Sequence, residues 1–265
     1  ILKNTAGEMF KKGGGAKGKE GTLTPLQAVS SALAGCVGTA NIAGVATAMV
    51  VGGPGAVFWM WVVALLGMLT KCVEVTLGQY YRVKGEDGVY YGGPMYYIER
   101  GMGRKWKPLA VIFSVTIILG GLGTAAFAQP YTMSTAVQNS LGIPAWITTV
   151  AAAVICGVVL LGGVKSIGGF CEKLTPAMCL IYVVGVLGVI IINLEHVPAA
   201  FAAIFRYAFA PMPAVGGLAG STVALALRQG AARGTFSNEA GCGSSPITHA
   251  TAITDHPFKE GMYGC

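Results

Sequence analysis

Four long stretches of this sequence contain no charged residue, and they constrain the fold more than any other feature. Asp, Glu, Lys and Arg are all absent from 21–70, 108–164, 174–194 and 207–227. A helix that crosses a membrane needs about 20 mostly apolar residues, and the two longest stretches can each hold more than one crossing. Charged residues make up 11% of the chain, against about 25% in soluble domains, so a large soluble protein with buried helices does not fit. The sequence therefore predicts an all-α, polytopic membrane protein.

The apolar stretches predict about six membrane spans that follow a polar arm. Residues 1–23 form the arm, and residues 24–265 form an incomplete transmembrane domain. The spans are expected at about 24–51, 56–81, 108–139, 144–164, 174–194 and 218–250. We expect a loop over 165–173, and an aromatic, Pro-broken interfacial or re-entrant connection over 195–217.

The first span has a clear starting signal. Thr24 is a good N-cap residue, and Pro25 suits the first helical position. Gln27, three residues after Thr24, completes a capping box. We therefore expect a helix that begins at Pro25.

Basic residues are concentrated in segments that would face one side of the membrane. The arm holds five Lys, residues 82–107 hold six Lys and Arg, and Lys165 and Lys173 lie in the predicted loop. The connections on the other side hold only Arg206. Because cytoplasmic loops carry the excess of Lys and Arg, this asymmetry predicts a cytoplasmic arm. It also accounts for the net charge of +7, so we expect membrane lipid and no nucleic acid as a partner.

Glycine and polar residues interrupt the middle of the first span. Gly38, Thr39, Ala40 and Asn41 lie in the centre of a charge-free segment. At about 1.5 Å per residue from Thr24, Gly38 lies roughly 20 Å along the span, close to the bilayer centre. Bare backbone is tolerated at that depth only where it lines a cavity, and a broken helix offers N–H groups to a carboxylate and carbonyls to a cation. A close-packed glycine face without a break is the alternative, and Asn41 favours the site.

A second interrupted span is predicted near the end of the chain. Residues 233–246 combine Gly, Pro and polar side chains in an apolar setting, and they include Glu239. Paired broken helices at matching places in two halves are the best sequence sign of a transporter site. A carboxylate such as that of Glu239 is costly in lipid unless it faces a partner or water. The alternative is a loop at the membrane surface.

Other polar residues in the apolar segments give weaker signals. Gln129 precedes Pro130 in the third span, where its amide can bind a ligand or join helices. His249 has no metal-ligand partner at a suitable spacing, so we assign it no role. The seven cysteines contain no CxxC pair and are interpreted as small packing residues, and we expect no cofactor.

Four motifs together resemble one known family. The sequence resembles the alanine/glycine:cation symporter family (the sodium:alanine symporters) at GTANIAGVATA (38–48), GGPGAVFWMW (52–61), GGPMYYIE (92–99) and FSNEAG (236–241). The matches are specific, occur in the family's order and cover nearly the whole chain. The resemblance implies a LeuT-type fold with two inverted repeats. It also implies sodium-driven symport of small neutral amino acids, mainly alanine and glycine, across the plasma membrane, with sodium as the coupling ion.

The resemblance also implies which residues bind the substrate and the ion. The backbone of Thr39, Ala40 and Asn41 would bind the substrate carboxylate. Further residues would line the pocket: Gln129, Phe236, Ala240 and Gly241. Carbonyls near Ala34 and Val37, together with the Asn41 amide, would help to hold sodium.

Two departures from the family pattern limit this assignment. The family usually has Gly where this chain has Ala40, and the extra methyl group is expected to tighten the pocket, favour smaller substrates or impair binding. The chain stops at Cys265, shortly after a new segment begins at His256, so we expect a C-terminally truncated fragment with the first repeat and the start of the second. One sodium site of this architecture needs a helix from the second repeat, so we expect no transport by the fragment alone.

The residues favour one of three function classes. An alternating-access transporter accounts for two broken helices with a site at the midplane. A membrane channel or another cation-coupled solute carrier is the alternative, although the sequence contains no repeated carbonyl filter or charged ring. An intramembrane enzyme is not expected, because no zinc motif and no Ser/His/Asp set occurs at membrane depth.

Overall fold

The computed structural model is helical over most of the chain that it describes. It describes residues 20–38, 41–213 and 220–265. Most of the predicted arm, together with Thr39 and Ala40, therefore lies outside the described residues.

Twelve α-helices and one short hairpin are present in the described ranges. The helices are α1 (Pro25–Cys36), α2 (Ala43–Gly52), α3 (Gly55–Tyr80), α4 (Pro94–Gly101), α5 (Lys107–Gly120), α6 (Ala126–Leu141), α7 (Ala145–Leu161), α8 (Gly163–Ile192), α9 (Val197–Phe209), α10 (Val223–Asn238), α11 (Ser244–His249) and α12 (Pro257–Gly264). Strands β1 (Val83–Lys84) and β2 (Tyr90–Tyr91) pair antiparallel. A π-helical turn, Gly121–Ala125, joins α5 to α6 without a loop.

Three helical stretches in the described part of the chain are long and apolar enough to cross a membrane. They are Gly55–Tyr80, Arg104–Leu141 and Gly163–Ile192, and α2 and α7 are shorter apolar helices. Large apolar side chains on these helices face outward: Leu161 is 91% exposed and Ile192 is 82% exposed. Contiguous apolar surface of this kind suits hydrocarbon rather than water. The predicted all-α membrane protein agrees with this architecture, and helices of membrane-crossing length lie at the positions of the predicted second and third spans.

The predicted loop over 165–173 is wrong. Helix α8 runs without a break from Gly163 to Ile192, and it continues through Pro176. The charged residues of this segment suggested a loop. Charged side chains are also tolerated in the first turns of a helix when they bind side chains from another part of the fold. Here Glu172 Oε2 accepts a hydrogen bond from Gln27 Nε2 at 3.0 Å. Helix α8, which corresponds to the predicted fifth span, therefore begins about three turns earlier than the sequence indicated.

The predicted start of the first helix is confirmed. The Thr24 backbone N–H donates to Gln27 Oε1 at 3.1 Å, and the Gln27 N–H donates to Thr24 Oγ1 at 3.2 Å. These reciprocal bonds form the capping box and satisfy N–H groups that have no partner within the helix. Pro25 takes the first helical position, where its missing N–H costs nothing.

The chain divides into two compact units, each built from separate stretches. The first unit contains the residues up to Gly35 together with 71–173 and 242–265. The second contains 36–70 and 174–241. Two of the boundaries between the units fall at or beside the ends of helices, at the end of α1 and between α10 and α11.

Small and aromatic residues hold the second unit together. A side chain at Gly230 of α10 would collide with the Ala56 carbonyl of α3, so glycine lets the two helices approach closely. The Trp59 ring of α3 makes edge contacts with Phe58 and Phe209. The Trp59 indole N–H also donates to the Ala208 carbonyl at 3.1 Å, which fixes α9 against α3.

In the first unit, the chain before α1 pairs with the chain after α11. The Thr22 and Leu23 N–H groups donate to the Thr251 carbonyl at 2.7 and 3.0 Å, and the Ile253 N–H donates to the Leu23 carbonyl at 2.8 Å. Arg82, which follows α3, donates to the carbonyls of Ala250 and Ala252 at 3.0 and 2.7 Å. We call this arrangement of residues 20–23, 249–253 and Arg82 the junction.

Candidate functional site

The first span is interrupted where the sequence predicted a break. Helix α1 ends at Cys36 and α2 begins at Ala43. Asn41 stabilises the connection, because its Nδ2 donates to the Cys36 carbonyl at 3.2 Å and its backbone N–H donates to the Gly38 carbonyl at 3.1 Å. An asparagine amide therefore replaces the helical hydrogen bonds that the break removes.

The second interruption lies between α10 and α11. The backbone there has positive φ at Glu239 (52°), Gly241 (85°) and Gly243 (78°). Glu239 is the only non-glycine residue with positive φ in the part of the chain that the structure describes. This conformation costs a non-glycine residue about 1–2 kcal/mol, and such strain is concentrated at functional sites.

A short hydrogen bond connects the two breaks. Ser237 Oγ, in the last turn of α10, donates to Asn41 Oδ1 at 2.6 Å. Cys36 Sγ lies 3.8 Å from the Asn238 carbonyl and 4.0 Å from Glu239 Oε2. The C-terminus of α1 and the C-terminus of α10 therefore meet through polar side chains. All five of these residues belong to the second unit.

Asn238 shapes the start of the second break. Its Oδ1 accepts a hydrogen bond from the Ala240 N–H at 3.0 Å, an Asx turn that ends α10. Gly67 of α3 lies beside it: a Cβ atom at Gly67 would come within 2.5 Å of Asn238 Nδ2 and 3.2 Å of Ala240 Cβ. Glycine at position 67 therefore provides the space in which this turn forms.

The helix ends give the breaks a characteristic electrostatic field. The last carbonyls of α1 and α10 have no partner inside their helices, so these helix ends carry partial negative charge. The Glu239 side chain lies beside them. The first N–H groups of α2 carry partial positive charge. Such an arrangement can hold a cation at the carbonyl ends and an anionic group at the N–H end.

The sequence-predicted site residues are distributed over both units. Asn41, Phe236, Ala240 and Gly241 belong to the second unit, and Phe236 is 54% exposed. Gln129 is an exposed residue of α6 in the first unit. For sodium, Ala34 lies in the last turn of α1 and Val37 follows that helix directly. Thr39 and Ala40 fall outside the described residues.

Sequence reasoning missed several polar residues at or near the two breaks. Ser237 lies in the interrupted segment 233–246 but was assigned no role, and Cys36 was interpreted only as a small packing residue. His249 was set aside, yet it forms a buried pair with Glu260 in the first unit, with Nδ1 and Oε1 2.7 Å apart. A buried pair could not be found by metal-ligand spacing, because that rule seeks three or four ligands.

Membrane-length apolar helices and two connected helix breaks are the features of a membrane transporter. A comparison with known families supports this class, because the family model described as "Sodium:alanine symporter family" matches residues 1–265. The chain belongs to the sodium:alanine symporter family. The resemblance inferred from the four motifs is confirmed, and so is the prediction of a transporter rather than an enzyme at the level of the family.

Curated relatives support the same family. The chain is 44% identical to a protein named "Uncharacterized transporter" from Haemophilus influenzae, over 98% of the chain and 56% of that protein. It is 40% identical to the "Sodium/alanine symporter AgcS" of Methanococcus maripaludis, over 92% of the chain and 53% of that protein. It is 38% identical to the "Amino-acid carrier protein AlsT" of Bacillus subtilis, over 96% and 53%. The chain thus spans about half the length of the curated relatives that it matches.

Proposed function

We propose that the protein containing this chain is a sodium-coupled symporter of small neutral amino acids, principally alanine and glycine. It works by alternating access across the plasma membrane, with the N-terminal arm in the cytoplasm. The proposal includes a LeuT-type fold in which this chain supplies the first inverted repeat and the start of the second. The family, the name of the Methanococcus relative and the excess of basic residues in the predicted cytoplasmic segments support it.

The observation that carries this proposal is the hydrogen bond from Ser237 to Asn41, which connects the two helix breaks. A symporter needs substrate and ion to be bound at one place, so that each stabilises the same conformation. Two broken helices that meet through polar side chains supply carbonyl groups for the ion and N–H groups for the substrate carboxylate. A close-packed glycine face would supply neither.

In this proposal the site residues have separate roles. The backbone at Thr39, Ala40 and Asn41 binds the substrate carboxylate, and the carbonyls of Ala34 and Val37 with the Asn41 side chain contribute to sodium binding. The remaining pocket residues face the substrate side chain and amino group: Gln129, Phe236, Ala240 and Gly241. Each of these roles follows from the family pattern and from the chemistry of the residue.

Uptake into proteoliposomes tests the proposed function. The full-length transporter is reconstituted, and uptake of radiolabelled alanine is measured with an inward sodium gradient, with equal potassium, and with increasing unlabelled glycine. We expect saturable uptake that requires sodium and is inhibited by glycine. Sodium-independent flux that increases linearly with alanine concentration would instead identify a channel. Saturable uptake that glycine does not reduce would retain the symporter and remove glycine as a substrate.

A further inference from the structure

A group of basic side chains lies where the chain turns from α4 into α5, outside the two helix breaks. Arg100 lies in the last turn of α4, and Lys107 begins α5. Arg104 and Lys105 lie in the 3₁₀ turn between these helices. Residues 99–107 contain these four basic residues and one acidic residue, so the segment has a net charge of +3. We call this segment, which belongs to the first unit, the basic elbow.

Backbone hydrogen bonds give the basic elbow a defined shape. The Met102 N–H donates to the Ile98 carbonyl at 3.1 Å, which ends α4. The Trp106 N–H donates to the Gly103 carbonyl at 2.9 Å, which closes the next turn. Gly103 has a φ of 98°, a conformation that favours glycine, and the chain changes direction there. The basic side chains are therefore carried by an ordered turn between two helices.

One carboxylate neutralises part of this positive charge. Glu99 Oε1 lies 3.8 Å from Lys107 Nζ, and this ion pair connects the last turn of α4 with the first residue of α5. Arg100, Arg104 and Lys105 are exposed, and they form no ion pair with any residue that the structure describes. Three like charges within six consecutive residues repel one another, so an anionic group at this surface would stabilise them.

The residues beside the basic elbow are those expected at the edge of a membrane. Met102 and Trp106 lie among the basic residues and are 53% and 48% exposed, and the exposed Leu109 follows in α5. Tryptophan and basic residues are enriched at the boundary between headgroups and hydrocarbon. The helical stretch Arg104–Leu141 has 38 residues. At about 1.5 Å per residue it is far longer than a hydrocarbon core of about 30 Å, so the stretch extends into the headgroup region.

The chemistry of this surface fits a phospholipid better than a soluble anion. The acyl chains of a phospholipid cover the apolar side chains of α5, while its phosphate contacts the guanidinium and ammonium groups above them. An acidic protein or a nucleic acid would have to cover the exposed indole of Trp106 and the apolar start of α5 as well. A zwitterionic headgroup brings its own cation, so the net charge of +3 favours an anionic headgroup.

We propose that the basic elbow is a binding site for the headgroup of an anionic phospholipid. Arg100, Arg104 and Lys105 contact the phosphate, and Trp106 lies beside the glycerol backbone. The association is non-covalent, and it holds the turn between α4 and α5 at headgroup depth. The site goes beyond the proposed symport, because it does not depend on which amino acid or ion the protein carries.

Photo-crosslinking with two lipids tests this proposal. The full-length transporter is reconstituted in vesicles of equal parts phosphatidylglycerol and phosphatidylcholine, with a trace of a photoactivatable analogue of one lipid or the other. Both analogues carry the same diazirine acyl chain, and labelled peptic peptides are quantified by mass spectrometry. We expect the peptide that contains Trp106 to be labelled at least about fivefold more by the phosphatidylglycerol analogue. Equal labelling by the two analogues overturns the proposal.

Trp146 provides a matched control within the same protein. It is 68% exposed at the start of α7, and its stretch of the sequence, 108–164, contains no charged residue. Both indoles therefore lie at the start of an apolar helix, but Trp106 has basic neighbours in the chain and Trp146 has none. The peptide that contains Trp146 should be labelled equally by the two analogues. A preference of the same size at Trp146 overturns the proposal, because it would not depend on the basic elbow.

Variants test whether the named side chains cause the preference. The triple variant Arg100→Gln/Arg104→Gln/Lys105→Gln should lose the preference for phosphatidylglycerol at the Trp106 peptide. Lys165→Gln, which removes an exposed charge from α8, should retain it. A preference that persists in the folded triple variant overturns the proposal. If the triple variant does not fold, Arg104→Gln and Lys105→Gln replace it: each should reduce the preference by up to about fivefold, and an unchanged preference in both overturns the proposal.

Ionic competition distinguishes a lipid headgroup from free phosphate. An increase in KCl from about 0.1 M to about 1 M shortens the screening length from about 10 Å to about 3 Å, so it should reduce the preference. Potassium phosphate at the same ionic strength should reduce it no further. A stronger effect of phosphate would identify a site for free phosphate, and no effect of KCl would identify an apolar attachment; either result overturns the proposal. None of these measurements requires transport, so failure of the alanine-uptake test leaves them unaffected.

Discussion

Asn41 shows how one side chain can use both of its functional groups to organise a helix break. Its amide N–H₂ donates within the first break, and its carbonyl oxygen accepts from Ser237 of the second. The sequence identified Asn41, because an amide in a charge-free segment is unusual. It could not identify Ser237 as the partner, since 196 positions separate the two residues and only the fold brings them together.

Removal of the Ser237 hydroxyl should weaken the site. Ser237→Ala leaves Asn41 Oδ1 without its donor in a half-buried place, at a cost of about 1 kcal/mol. We expect the sodium or alanine concentration at half-maximal uptake to increase by about fivefold. The control is Ser114→Ala, because the Ser114 hydroxyl donates only to the Ala110 carbonyl of its own helix, at 2.9 Å. Equal half-maximal concentrations for the two variants would show that the hydrogen bond from Ser237 to Asn41 does not contribute to binding.

The residue at position 40 tests the departure from the family pattern. Ala40→Gly removes a methyl group from the proposed carboxylate cradle, so uptake should become stronger or extend to larger amino acids. The measurement is competition of a series of neutral amino acids against labelled alanine. Ala46→Gly, at an exposed position of α2, controls for the loss of helix propensity. Unchanged alanine and glycine affinities in Ala40→Gly would show that the methyl group does not limit the pocket.

At the scale of elements, local signals and distant contacts were predictable to different degrees. The capping box of α1 was readable because Thr24 and Gln27 are three residues apart and satisfy each other. The start of α8 was not, because the side chain that meets Glu172 belongs to Gln27, 145 positions away. Charged residues near a span therefore do not by themselves show where its helix begins or ends.

Gly67 provides the clearest test of element packing. Gly67→Ala should increase intrinsic helix propensity by about 1 kcal/mol, but its Cβ would collide with the Asn238 amide that ends α10. Gly185→Ala makes the same change in α8, where nothing lies within 4 Å of the new Cβ. We expect a higher melting temperature in detergent for Gly185→Ala. For Gly67→Ala we expect a lower melting temperature and reduced uptake, because overpacking typically costs about 1–3 kcal/mol.

A higher melting temperature for Gly67→Ala, with uptake unchanged, would contradict the packing argument. It would mean that Asn238 can move away without loss of the turn at Ala240. Reduced uptake in both variants would instead point to a general effect of stiffer membrane helices.

At the scale of the whole molecule, orientation is the prediction that rests most heavily on composition. Glu86 lies at the exposed tip of the β1–β2 hairpin, in the segment that carries six basic residues. Glu195 is exposed between α8 and α9, in a connection predicted on the opposite side. In intact cells, a membrane-impermeant maleimide should label Glu195→Cys and leave Glu86→Cys unlabelled until the membrane is opened. The reverse pattern would invert the proposed topology.

The class of polytopic membrane protein was predictable, because a stretch of 20 or more residues without charge is long enough to cross a membrane. The family followed from four motifs in order. The contact between the two breaks was less predictable, since Asn41 and Ser237 are separated by 196 positions. The pairing of His249 with Glu260 was missed, because His249 was considered only as a metal ligand and Glu260 was not singled out.

The indole of Trp59 gives the second unit a natural optical probe. Its ring lies among phenylalanines and its N–H is bonded to the Ala208 carbonyl, so its fluorescence emission depends on the contact between α3 and α9. If the other three tryptophans of this chain are replaced by phenylalanine, Trp59 is the only indole of the chain that contributes to the emission. A red shift on addition of sodium or alanine would then show, in real time and without labels, that the surroundings of this indole become more polar as its contact with α9 loosens.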